Sequence, residues 1–164
     1  MSNQERLKRQ IDEMLEVQNA RQRRGRRHGR KDDCRNLCDR FAAILHAEPD
    51  ETNGVCVAAR TRDLEASIMG RETNSPLVFP QFFSFEGMDN NGNALNLGET
   101  VILQHEINPF VERLVKQNIQ VTAIHNHWLF DDPRLMYIHF QSVEPPLEFA
   151  KKTAAALSVL KDDK

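Results

Sequence analysis

Residues 108–160 constrain the fold of this chain more tightly than any other stretch. Asn108-Pro109 sets a capping side chain directly before a residue suited to the first helical position. Phe110, Val111, Leu114 and Val115 follow at helical spacing as the expected buried stripe, and Asn118 can take the left-handed conformation that ends such a helix. Residues 119–127 and 135–142 then read as two strands joined in a hairpin through Leu129-Phe130-Asp131-Asp132-Pro133-Arg134. Pro145-Pro146 opens a last helix with Leu147, Ala150, Ala154, Leu157 and Leu160 on its core face. A C-terminal α-β-β-α unit of this kind predicts an α+β fold, an antiparallel sheet with helices packed on one face.

The preceding residues fit that frame. Leu37, Phe41, Ile44 and Leu45 predict a helix over 33–46 with an Asp available to cap it. Short strands are expected at Val55–Ala59, Leu64–Met69, Leu77–Phe79, Phe82–Phe85 and Thr100–Leu103, and Asp89-Asn90-Asn91-Gly92-Asn93 is a turn. Cys34 and Cys38 would share a helix face, but two thiols with no further ligand nearby do not complete a tetrahedral metal site, so they read as ordinary small side chains. Three cysteines in 164 residues do not suggest a disulfide scaffold. No run approaches the roughly 18–20 apolar residues of a membrane span. The first residues are too polar for the apolar core of a signal peptide, so the expected setting is cytoplasmic, away from any membrane.

The formal net charge of −2 conceals an asymmetry: residues 1–33 carry 10 Lys/Arg against 6 Asp/Glu, while the rest carry 12 against 18. Most of the positive charge lies in Arg21, Arg23, Arg24, Arg26, Arg27, Arg30 and Lys31, with Gly25 and Gly29 among them. Like charges repel and the glycines weaken a helix, so two regions are expected: a basic arm over 1–32, partly helical or disordered, and an α+β domain over 33–164. Ahead of the arginines, Leu7, Ile11, Met14 and Leu15 give residues 4–20 a thin apolar stripe. Guanidinium forks suit phosphate oxygens, which makes nucleic acid a candidate partner of this arm. The competing reading is a solvated arm, because no aromatic side chain interleaves the arginines to stack on bases.

Histidine placement carries the chemistry. Along 135–142, Met136, Ile138 and Phe140 form an apolar set, so Tyr137 and His139 point the other way. Along 119–127, Ile124 and Trp128 are the expected core residues, which puts His125 and His127 opposite. Pairing residue 129 with 135 would set His125 across from His139 and residue 127 across from 137. Directly opposed Cβ atoms lie about 4.5–5.5 Å apart, close enough for imidazoles to converge on one ion. Zinc suits three neutral nitrogens with an open fourth position, as do copper, nickel and iron. The alternative is three separate structural histidines held by hydrogen bonds. Glu106 is the added catalytic candidate, as a fourth ligand or as a general base on an activated water; it could equally be a carboxylate placed at the positive end of a helix. His105 is a weaker candidate, and His28 and His46 read as surface residues.

These residues also carry a resemblance. Leu-Gly-Glu-Thr-Val-Ile-Leu-Gln-His-Glu-Ile-Asn-Pro-Phe (97–110), Ile-Gln-Val-Thr-Ala-Ile-His-Asn-His-Trp-Leu (119–129) and Pro-Arg-Leu-Met-Tyr-Ile-His-Phe (133–140) resemble the LppY/LpqO family of bacterial proteins over roughly residues 34–160. Its motif falls on Glu106, Asn108, Pro109, His125, Asn126, His127, Pro133, Arg134 and His139. The resemblance implies a fold family and no particular activity. Many relatives are exported or lipid-anchored, a feature not visible here, and His105 stands where relatives commonly have Pro. The arginine-rich arm lies outside the shared region.

Three functions are therefore open: a metal-dependent site, with water activation for hydrolysis its natural chemistry; a non-catalytic module for a small molecule or protein; and nucleic-acid association through the arm. The last predicts retention on DNA that weakens steeply with salt and disappears when residues 1–32 are deleted; salt-insensitive retention would refute it.

Overall fold

Ala94–Leu103 and Leu135–Glu144 form the two long central strands of the sheet, apolar throughout where both faces are covered (Val101–Leu103, Leu135–Ile138) and alternating in burial over Ala94–Gly98, where one face is open. A computed structural model describes residues 36–160. The basic arm, the stripe over 4–20, His28, Cys34 and the start of the first helix lie outside the described residues. The elements are α1 (36–45), β1 (Glu48–Thr52), β2 (Val55–Thr61), β3 (Ser67–Ile68), β4 (Arg71–Glu72), β5 (Pro80–Glu86) and β6 (Ala94–Leu103). A 3-10 turn at Gln104–Glu106 leads into α2 (Ile107–Lys116), followed by β7 (Gln120–His125), β8 (Asp131–Asp132), β9 (Leu135–Glu144) and α3 (Pro146–Leu157).

The main sheet has the order β1-β2-β5-β6-β9-β7, every neighbour antiparallel. Because β9 runs antiparallel to both β6 and β7, those two strands are parallel, and α2 is the crossover between them. All three helices pack on one face. Phe41, Leu45, Phe110, Leu114, Phe149 and Ala150 meet Phe83, Phe85, Ile138 and Phe140 in a single buried cluster. Phe140 is its hub, 5.8 Å from the Phe110 ring, 6.0 Å from Phe149 and 6.4 Å from Phe83. Its pairing partner is Gly98, where a Cβ would fall 2.2 Å from the Phe140 ring. Only a residue without a side chain lets that ring lie on the strand.

The opposite face, expected to be open, is half covered. Leu64, Ala66, Val78 and Phe79 bury themselves against Val101, Leu103, Leu135 and Tyr137. These apolar residues come from segments expected to be strands, but only Ser67–Ile68 of the first is β and the second is a turn. They act as an irregular cover, in which burial rather than strand pairing accounts for the hydrophobicity. A small sheet, β4-β3-β8, ties the cover to the loop after β7.

Other departures have equally local reasons. β1 was not expected because Glu-Pro-Asp-Glu-Thr has no apolar face; it is a polar edge strand, where Pro needs no ladder partner. α2 begins one residue before Asn108, so the 3-10 turn and not Asn108 provides its entrance. Val115 is 57% exposed rather than buried. Asn118 does take the left-handed conformation, at φ 61°.

Cys38 of α1 is disulfide-bonded to Cys56 of β2, with Cα atoms 5.5 Å apart. The pairing corrects the reading of Cys38 as an ordinary small residue: its partner lies across the helix–sheet contact, not along its own helix. It closes a loop that the sheet already brings together, a contribution of about 2–4 kcal/mol. Denatured but unreduced protein is expected to titrate no more than one thiol per chain with Ellman's reagent, and three after reduction. Three thiols before reduction would show that the bond is not formed.

Candidate metal centre

β6, β9 and β7 lie side by side, and the face away from the helices carries Glu99, His139 and His125 from these strands in turn. Glu99 pairs directly with His139. The β7–β9 register differs from the expected one by two residues: His125 opposes Tyr137, and Ala123 opposes His139 across an irregularity between Val121 and Ala123. A shift of two preserves the face, so the histidines still meet, diagonally instead of directly.

The convergence is close. His125 Nε2 lies 2.9 Å from His139 Nε2. The His125 ring centroid is 4.9 Å from that of His139 and 5.0 Å from that of His127. One ligand atom from each of the three falls within 4.8 Å of the others. Tetrahedral ligands about 2.0–2.1 Å from an ion sit roughly 3.3–3.4 Å apart, so small side-chain rotations suffice to bind one.

An oxygen lies on the Nδ1 side of two of the rings. His125 Nδ1 faces the Asn126 carbonyl at 3.3 Å, and His139 Nδ1 faces Glu99 Oε2 at 3.8 Å. The two Nε2 atoms face one another at 2.9 Å, the length of a hydrogen bond. Without an ion the contact is an N–H···N hydrogen bond with one ring as donor; an ion would take the place of that proton. Glu99 Oε1 also lies 3.9 Å from His127 Nε2. Glu99 was missed because the expected strand began at Thr100, although Leu97-Gly98-Glu99 lies within the sequence that carries the resemblance.

His127 lies beyond the end of β7, so alternation does not place it. Its ring stacks on Tyr137 instead, centroids 3.5 Å apart and planes 9° from parallel. Trp128 also departs from expectation. It packs with the cover and Tyr137, not with the helix-side core, and its Nε1 donates to the Tyr137 hydroxyl at 3.0 Å. That hydroxyl donates in turn to the Val78 carbonyl at 2.8 Å. Burial pushes the Tyr137 phenol up to about 12, so it stays protonated and fixed. Ile124, on the edge strand, is 39% exposed.

The loop carrying His127 is held by named bonds. Asn126 Nδ2 donates to the Trp128 carbonyl at 2.7 Å, and Arg134 donates to the carbonyls of Trp128 and Leu129 at 3.0 and 3.3 Å. Arg134 also pairs with Asp131 at 2.9 Å, while Asp131 Oδ2 accepts from the Leu135 amide at 2.8 Å. The peptide bond before Pro133 is cis.

Glu106 is placed elsewhere. It is 3% exposed, and its two carboxylate oxygens accept from Arg62 Nη1 and Nη2 at 2.7 and 3.0 Å; Oε2 also accepts from the Leu103 amide at 2.9 Å. A carboxylate so engaged anchors the start of α2 and is outside the histidine cluster. His105 and His46 are exposed and also stand apart from it.

Fold and site together define an α+β protein with a sheet-borne histidine cluster beside a carboxylate. The chain belongs to the family described as Domain of Unknown Function (DUF1259), whose model matches residues 39–159. No curated protein and no solved structure matches the chain. Among the described residues no helix is long and apolar enough to cross a membrane.

Desolvation holds the His127 imidazolium below its ordinary pKa of 6.5, outweighing the pull of Glu99, with the two other imidazoles adding to the depression. His127 is therefore neutral at pH 7. The unfolded chain binds this proton more readily, so stability is full above 6.5 and falls as the pH drops from there through the folded value. A proton-NMR titration of the metal-free protein should give His127 a midpoint below 6.5; one at or above 6.5 would contradict its packing on Tyr137.

Proposed function

We propose that this protein binds one transition-metal ion through His125, His127 and His139 and uses it to activate water for hydrolysis. The observation that carries the reading is the convergence of the three rings, with one ligand atom from each within 4.8 Å of the others and His125 Nε2 2.9 Å from His139 Nε2. Zinc is the first choice, because three neutral imidazoles leave a fourth position open and the exposed sheet face gives solvent access. Copper, nickel and iron suit the same donors. An ion there would supply Lewis acidity, bringing a water's pKa toward neutrality. Glu99 takes the part first considered for Glu106: it orients His139 and can accept a proton from the attacking water. The motifs around these residues support reading the family as LppY/LpqO-like.

The Cys38–Cys56 disulfide favours an oxidising compartment over the expected cytoplasm, since such bonds persist where thiols are not kept reduced.

Elemental analysis of untagged protein should find about one metal per chain, and saturating Zn²⁺ should raise the melting temperature. At a hundredfold excess over Kd the added stability is about 2.7 kcal/mol. His125→Ala and His139→Ala should abolish this gain while the apo proteins remain folded, and Glu99→Gln should weaken metal binding about 10–100-fold. No metal, and no thermal shift with zinc, copper, nickel or iron, would refute the site.

A further inference from the structure

The uncovered half of the sheet face continues from the histidine cluster as an apolar floor. Strand pairing sets Ala59, Phe82, Glu99 and His139 in one row across β2, β5, β6 and β9. Cross-strand partners share a face, so Phe82 stands beside Glu99 and about 10 Å, two strand spacings, from His139. The next row holds Val57, Ser84, Leu97 and Gln141. Phe82 is 44% exposed and Leu97 39%, with Leu95 at 39% and Val143 at 73% further along. Large apolar side chains grouped in this way on a soluble surface mark a contact site. Toward the cover the same face is closed by Val101, Leu103 and Tyr137, so a ligand held at the cluster has the floor as its apolar way out.

We infer that the ligand of this centre is an amphiphile, with a carboxylate or carbonyl head at the histidines and an acyl tail lying over Phe82 and Leu97 toward Val57. The inference rests on the metal reading above and adds the substrate class to it. Charge complementarity selects the head: a dication held by three imidazoles attracts an oxygen anion. Side-chain chemistry selects the tail: Ala59, Phe82, Val57 and Leu97 offer no charge, Ser84 and Gln141 are the polar members of the second row, Glu99 and His139 belong to the head end of the first, and Glu48 and Asp50 of β1 end the floor beyond β2. The distance from β9 to β2 is about 14 Å at roughly 4.8 Å per strand, room for a medium-length chain.

Alkyl hydroxamates supply the test, because their head chelates metal and only the tail varies. Zinc-loaded protein is titrated with acetohydroxamate, butanohydroxamate, hexanohydroxamate and octanohydroxamate. A fully buried methylene is worth about fourfold in affinity; a tail covered by the floor on one side should gain about twofold per methylene. In Phe82→Ser/Leu97→Ser protein, both positions being exposed, the series should flatten while zinc affinity stays within twofold of the parent. A flat series on zinc-loaded wild-type protein, or an undiminished one on the double variant, overturns the amphiphile inference alone. Failure to take up zinc or any of the other three metals overturns the metal reading and this inference with it.

Discussion

The pairing of β6 with β9 is the constraint on which the rest of the structure depends. Its register sets Gly98 under Phe140, Glu99 against His139 and Val101 against Tyr137 within four positions of one strand. The first pair builds the helix-side core, the second builds the candidate site, and the third builds the covered half of the opposite face. A slip of one residue would exchange the faces of the strand, putting Glu99 into the phenylalanine core and Gly98 beside the histidines. Core packing thus fixes the geometry of the site: the Phe140 ring, seated where a Cβ would fall 2.2 Å away, blocks any neighbouring register.

The α+β class and the C-terminal unit were legible because their signals are local. Proline and asparagine at helix ends, and alternation along Leu135–Glu144, act within a few residues. The histidine cluster was legible through parity alone. Parity survives a register shift of two, and this is why His125 and His139 meet even though the expected pairing was displaced. What parity could not supply was the third strand. Glu99 comes from β6, reached through the sheet order and not through the hairpin, and nothing between residues 97 and 139 announces that they are neighbours. His127 joins the cluster as expected, but by stacking on Tyr137 and not by strand alternation; Trp128 was misjudged, because β7 ends at His125 and beyond that point the chain follows contacts with Tyr137.

Glu106 illustrates how a polar residue before a helix is ambiguous in sequence. A carboxylate at that point can serve chemistry or hold the helix, and Arg62, more than forty residues earlier, decides between them. A buried charge is tolerated when its partner and hydrogen bonds are supplied, and Glu106 has both from Arg62 and the Leu103 amide. The pair also joins the end of β2 to the entrance of α2, which ties the start of the cover to the crossover. Its contribution to the histidine site is indirect: it anchors one end of the helix whose other end delivers the chain into β7.

The site lies where two environments meet. On one side lie Tyr137, Val78 and Phe79 of the covered half; Tyr137 fixes the His127 ring by stacking, and partial burial there depresses its pKa. On the other side the sheet is exposed, and the His139 and Glu99 side chains keep contact with solvent at 31% and 27%. A cluster wholly inside the covered half would be closed to solvent, and one wholly on the open half would lack the stacking that holds His127. At the boundary Tyr137 orients the His127 ring, while the open side leaves the three histidines accessible. Asn126 and Arg134 matter for the same reason, because their bonds to the Trp128 and Leu129 carbonyls hold the loop that carries His127 against Tyr137.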